Sequence, residues 1–258
     1  MKKEIEPFRA KSVLIGAGTP KICMPMVGKT EEDLLANLDE ALALGPDVVE
    51  WRADYFQDVE APAGLLAMLE KIRRTLPDTP LLFTCRDVSE GGFARILPQA
   101  RAGLIERAIG SGMIDLLDIE LEAARNGLDH LIPLARKNNI GVVLSSHFFT
   151  KTPPCAEMVE ILQAEQRMGA DIAKIAVMPN SPEDVLGLLA ATQEMHSRHA
   201  EIPLITMSMG QLGLPSRVCG GVFGNALTFG AGRNASAPGQ IGIGELRAAL
   251  ALFHSQSK

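Results

Sequence analysis

The run A-D-I-A-K-I-A-V-M-P, residues 170–179, reads as a buried strand with one ammonium group, Lys174, in its middle. Burying an unpaired charge costs several kcal/mol, or the group gives up its proton. A lysine without its proton is a nucleophile. The run therefore predicts both a fully buried strand and a reactive group on it.

Working outward, seven further runs of the same kind are found. They are I-C-M-P-M-V (22–27), D-V-V-E-W-R (47–52), L-L-F-T-C-R (81–86) and I-D-L-L-D-I-E-L (114–121). After these come G-V-V-L-S-S-H (141–147), P-L-I-T-M-S (203–208) and N-A-L-T-F-G (225–230), so the lysine strand, 171–177, is the sixth of eight. The segments between them are helical in pattern. Thr30 is placed as an N-cap, with Glu31, Glu32 and Asp33 in the first turn, Gly45 at the end and Leu34, Leu35, Leu38 and Leu42 as the apolar stripe. Ser181-Pro182-Glu183-Asp184 opens another helix, with proline at its first position. Similar patterns fill 62–76, 98–111, 122–138, 154–169 and 239–255, while Gly213 and Pro215 interrupt 210–220.

Eight strand–helix units predict one (β/α)₈ TIM barrel over residues 1–258. A doubly wound open sheet would want a phosphate-binding glycine loop after the first strand, and M-V-G-K-T-E-E-D is not one. The earlier G-A-G at 16–18 lacks a third glycine and reads as the turn of an N-terminal β-hairpin, within residues 1–21, that covers the barrel bottom.

Composition narrows the function. The 258 residues are 47% hydrophobic and 22% charged, with a net charge of −6, so no basic footprint for nucleic acid exists. The four cysteines form no C-x-x-C pair, which argues against zinc ribbons and redox dithiols and suits a reducing, cytoplasmic setting. The charged start M-K-K-E-I-E-P carries no signal-peptide core, and no run of about 18 apolar residues suggests a membrane span.

Alternate strand residues share a face. That rule puts Glu50 with Arg52, Arg86 with Leu82 and Thr84, and Asp118 with Glu120 opposite Leu117, Ile119 and Leu121. His147 ends the fifth strand and Arg217 follows the seventh. Most of these charges fall at or near strand C-termini, where barrels place their chemistry. Asp118 and Glu120 read as inner-barrel partners for the arginines. Three arginines at one end suit an anionic small substrate, since guanidinium forks match carboxylates. A neutral amine beside an anionic ketone makes a Schiff base, and His147, one strand away, is placed to move a proton next to the imine. His196 and His199 lack a third ligand for a metal, and Arg73 and Arg74 read as solvated charges.

E-W-R (50–52), F-T-C-R (83–86), Glu90 in S-E-G-G, S-S-H (145–147), A-K-I-A (173–176), M-S-M-G (207–210) and T-F-G…A-S-A-P-G-Q (228–240) stand in order along nearly the whole chain. Together they resemble type I 3-dehydroquinate dehydratase, the Schiff-base dehydratase of the shikimate pathway to chorismate and the aromatic amino acids. The resemblance implies a barrel, a homodimer and no cofactor or metal. It implies that Lys174 forms an imine with the C3 ketone of 3-dehydroquinate. His147 would move the C2 proton and help the C1 hydroxyl leave, with Glu90 orienting it. Arg217, with Ser236 and Gln240, would hold the substrate carboxylate, and Glu50, Arg52 and Arg86 the ring hydroxyls. The segment 230–240 would close over substrate as a lid. Two positions depart from the family pattern: Phe148 replaces a polar residue, and Gly221 a glutamate or proline. The alternatives are a different Schiff-base barrel, such as an aldolase, and an inactive barrel that only binds.

Overall fold

All eight apolar runs form strands of one parallel sheet in a computed structural model that describes residues 4–232 and 239–254. They are β3 (Lys21–Met26), β4 (Val48–Arg52), β5 (Leu81–Thr84), β6 (Leu116–Glu120), β7 (Gly141–Phe148), β8 (Ile172–Val177), β9 (Leu204–Ser208) and β10 (Leu227–Phe229). Sequential strands are neighbours, and β10 pairs with β3. A bridge from Leu204 to Asn225, with the Ala226 N–H on the Leu204 carbonyl at 2.8 Å, closes the ring. The result is the (β/α)₈ barrel that the sequence predicts.

Each strand's outward residues meet helices. Met24, Trp51, Phe83, Ile119 and Leu144 pack with the helix residues Leu38, Leu69 and Leu104 in one cluster, and Ala173, Ile175 and Val177 with Met158, Leu162 and Leu188 in another. The caps are as read: Thr30 with Asp33, and Ser181 with Asp184, form reciprocal capping boxes. Of the predicted first stripe, Leu34 and Leu38 are buried but Leu35 and Leu42 face solvent; Ala41 and Asn37 complete the buried face instead.

Two segments differ from expectation. The stretch 122–138 is not one helix. It breaks at Gly127, whose φ of 110° no helix accepts, and resumes at Leu131–Lys137. The hairpin exists as β1 (Phe8–Ala10) and β2 (Val13–Ile15), but its turn is Lys11-Ser12, with Lys11 at φ 50°. The G-A-G segment instead connects β2 to β3. The hairpin's Ala10 and Ile15 join the inward residues Cys23, Val48, Leu82, Leu116 and Val143 in one apolar layer. Phe8 lies against Gly141, at the start of β7, so closely that a Cβ there would sit 2.1 Å from its ring. The hairpin thus plugs the N-terminal end and leaves the C-terminal end for the site.

Candidate active site

Above the apolar layer the inward positions turn ionic. Val48 is followed inward by Glu50 and Arg52, Leu82 by Thr84 and Arg86, Leu116 by Asp118 and Glu120, Val143 by Ser145 and His147, and Ile172 by Lys174. Lys174 is only 3% exposed and stands in mid-strand, so it is its long side chain that brings the amine up to the charged layer. Nζ donates to Asp118 Oδ2 at 2.8 Å, lies 4.0 Å from Glu50 Oε1 and rests over the Phe229 ring at 4.9 Å from the centroid. The buried ammonium is therefore paired.

Asp118 is the hub. Its Oδ1 accepts from Arg86 Nη2 at 2.8 Å and from Ser145 Oγ at 2.6 Å. Burial works to raise the Asp118 carboxyl, but Arg86 and Lys174 outweigh it and hold it well below the usual carboxylate range. Arg86 also donates from Nη1 to Glu120 Oε1 and to Ser145 Oγ, both at 2.9 Å. Asp118 and Glu120 are thus the inner partners of an arginine, as read, and Asp118 is also the partner of the lysine.

His147 and Glu90 meet from different segments. Asp87 caps a short 3₁₀ turn, Val88–Glu90, by accepting from the Ser89 N–H at 2.9 Å, and Gly91 follows at φ 83°. A side chain on Gly91 would also strike the Phe149 ring, 2.2 Å from its Cβ. The turn aims Glu90 Oε2 at His147 Nδ1, 2.9 Å away, and the same oxygen accepts the His147 backbone N–H at 3.0 Å. Burial, reinforced by Arg86 and Lys174, pushes the imidazole well below its ordinary value, so it is neutral near pH 7. Burial raises the Glu90 carboxyl to about 7 against the opposing pull of Arg86. With Nδ1–H donated to Glu90, Nε2 is the nitrogen that keeps a lone pair.

A cavity with about 450 Å³ of empty volume brings together Lys174, His147, Glu90, Glu50, Arg52, Arg86 and Gln240, walled by Phe149, Ala176, Met207, Met209 and Phe229. Arg52 does not pair with Glu50. Its fork takes both oxygens of fully buried Asp54 at 2.8 Å each, while Glu50 accepts from Thr84 Oγ1 at 2.9 Å. Arg217 is not brought to this wall among the described residues. It is 1% exposed, with Nη1 3.8 Å from Sδ of the cavity-lining Met207, and burial lowers it to about 10, which leaves it charged. Ser236 and most of the 230–240 segment lie outside the described residues. The near end of that segment is tied into the sheet: the Gly230 N–H donates to Cys23 O at 3.0 Å and that of Ala231 to Ile241 O at 2.7 Å.

Three supporting residues were not foreseen. Asp54 holds Arg52 and also accepts the Phe93 N–H at 2.9 Å. Glu165, fully buried on the helix Cys155–Met168, accepts the Lys174 backbone N–H at 2.9 Å and Ser146 Oγ at 2.8 Å, tying the two strands that carry the lysine and histidine. Arg101, on the helix Pro98–Gly110, pairs with Glu120. The signal for Arg101 was present: with Leu104, Ile105 and Ala108 it lies on that helix's apolar stripe. Arg73, read as a solvated charge, instead bonds Asp115 at 2.6 Å and Met113 O at 2.8 Å; Arg74 does lie exposed, on Glu70. Phe148 points away from the cavity and packs in the outer cluster. At Gly221 a Cβ would come within 2.5 Å of Pro20 and 2.6 Å of His254, which accounts for the missing side chain.

The sequence model of a family described as type I 3-dehydroquinase matches residues 22–257. The 3-dehydroquinate dehydratase of Listeria monocytogenes is 48% identical over 246 residues, 95% of this chain and 97% of that one. That of Bacillus subtilis is 44% identical over 248 residues, covering 96% and 97%. A solved type I 3-dehydroquinate dehydratase from Clostridium difficile, described with covalently modified comenic acid, superposes with a TM-score of 0.95 at 42% identity, over 98% of this chain and 99% of that chain.

Proposed function

The chain belongs to the type I 3-dehydroquinase family, and on that premise we propose that it dehydrates 3-dehydroquinate to 3-dehydroshikimate through an imine on Lys174. The Lys174 amine gives up a proton and adds to the C3 ketone, and the adduct's hydroxyl takes up that proton and leaves as water, so a protonated imine remains. His147 Nε2 takes a proton from C2. The C2–H electron pair moves into the C2–C3 bond and the iminium nitrogen accepts the displaced pair, giving an enamine. The enamine then expels the C1 hydroxyl, which takes the proton back from His147 and leaves as water. A second water hydrolyses the product imine and frees the lysine. Protons balance over the cycle, so no cofactor is called for.

The observation that carries this reading is the position of Lys174 and His147 on adjacent strands of one small cavity, each with its own carboxylate: Asp118 at 2.8 Å and Glu90 at 2.9 Å. Asp118 is too acidic to take the lysine's proton, so its part is to hold the amine and offset the iminium charge. Neutral His147 is the base. Arg52, Arg86 and Glu50 present donors and acceptors to ring hydroxyls, and Gln240 stands at the rim. Arg217, beside the cavity-lining Met207, would hold the substrate carboxylate, and Ser236 would share that role.

The test is direct. Purified protein given 3-dehydroquinate should produce the ultraviolet absorbance of a conjugated enone acid. A flat trace with folded protein would refute the activity.

A further inference from the structure

Five side chains of alternating charge type form one line that runs from behind the cavity into its wall: Arg101, Glu120, Arg86, Asp118 and Lys174. Three of them come from strands, and Arg86 follows the end of β5. The fifth, Arg101, comes from a helix, does not line the cavity and is 4% exposed.

Arg101 Nη2 donates to Glu120 Oε2, and its Nε donates to the carbonyl of Cys85 at 2.8 Å. Cys85 immediately precedes Arg86. The other Glu120 oxygen accepts Arg86 Nη1 at 2.9 Å and the Asp87 N–H at 3.0 Å. The backbone is therefore gripped on both sides of Arg86, directly before it and through Glu120 after it. Asp87, so fixed, caps the turn that delivers Glu90 to His147. A guanidinium can make this grip because its fork reaches a carbonyl and a carboxylate at once. Without it, Glu120 keeps one buried oxygen unpaired and competes harder for Arg86 against Asp118.

We propose that Arg101 is a positioning residue for the Glu90–His147 pair and for Arg86, acting from behind the cavity through Glu120 and the Cys85 carbonyl. The proposal rests on the imine reading above. Arg101 also contributes charge. Glu90 is faced by Arg86 from the end of β5, Asp118 from β6, His147 from β7 and Arg101 from the helix. Arg52 bonds the next residue, Gly91, while Asp87, Glu120 and Glu122 border Glu90 on its outer side, and Glu165 lies within electrostatic reach. Arg101 and Arg86 are the cations that keep the buried Glu90 carboxyl from rising further.

The experiment compares kcat against pH for the unaltered enzyme, Arg101→Met and Arg101→Lys, with borohydride trapping of the unaltered enzyme in parallel. Arg101→Met should lose about tenfold in kcat, a part of the ~10²-fold that a 1 Å misplacement of reacting groups costs. Its acid limb should also move up by roughly half a pH unit, from the lost charge. Arg101→Lys keeps the charge but not the fork, so its limb should stay while kcat falls several-fold. Should Arg101→Met not fold, Arg101→Lys decides by itself: a kcat equal to that of the unaltered enzyme overturns the grip. Equal losses in both variants with unmoved limbs would leave Arg101 a purely structural residue and overturn the proposal. If the unaltered enzyme turns over without trapping, the imine reading fails, whatever Arg101 does.

Discussion

A single oxygen, Glu90 Oε2, accepts both the ring Nδ1–H of His147 at 2.9 Å and its backbone N–H at 3.0 Å. One carboxylate thus fixes the histidine's tautomer, ring plane and main chain together. This holds only while Glu90 is ionised, since a protonated carboxyl offers Nδ1–H a poorer acceptor.

The pH dependence follows. His147 is neutral well below pH 7, so its own protonation does not limit the rate near neutrality. Glu90, raised to about 7, gains the needed charge as pH rises. Turnover should therefore climb through an acid limb near pH 7, and Glu90→Gln, which cannot titrate, should abolish that limb and lower kcat. A kcat profile that is flat from pH 6 to 8 (about one unit either side of the raised value) would contradict the assignment.

Removal of the proposed base, His147, separates two steps. His147→Ala should lose at least ~10²-fold in kcat, the usual contribution of general acid–base catalysis. The variant should still be trapped as an imine with 3-dehydroquinate, because the amine and its Asp118 partner are untouched. Near-normal turnover in His147→Ala would show that another group moves the proton.

Asp118 bears on stability. Asp118→Ala leaves a buried lysine and a buried arginine short of their shared anion. Removing one partner of such a pair costs roughly 3–5 kcal/mol, which urea titration would read as a lower midpoint. The sign with pH follows from linkage. The folded carboxyl is depressed, so its stabilisation is present above the unfolded value of about 4 and is lost as pH falls below that. The difference between the parent protein and Asp118→Ala should therefore shrink in acid. A midpoint equal to the parent's at pH 7 would contradict the hub role.

Much of the fold was legible because each strand is a short apolar run between helical patterns, and parallel strands buried on both faces have no other way to read. The inward charges were legible from alternation alone: Asp118 and Glu120 had to share the face opposite Leu117 and Ile119. What escaped reading was pairing across sequence. Arg101 finds Glu120 and Glu165 finds the Lys174 N–H only once the helices wrap the barrel, and Arg52 takes Asp54, in the turn after its strand, instead of Glu50, its neighbour on the strand face. The hairpin turn was misplaced for a local reason. G-A-G carries the stronger turn chemistry, yet Lys11 adopts the left-handed backbone that brings Phe8–Ala10 back onto Val13–Ile15.

The central claim is the covalent role of Lys174, and one measurement addresses it. The protein is incubated with 3-dehydroquinate and borohydride, digested and read by mass spectrometry. The account predicts one reduced ligand on the peptide that contains Lys174, and no label and almost no turnover in Lys174→Ala. A label on any other residue, or full turnover with no label, would contradict it.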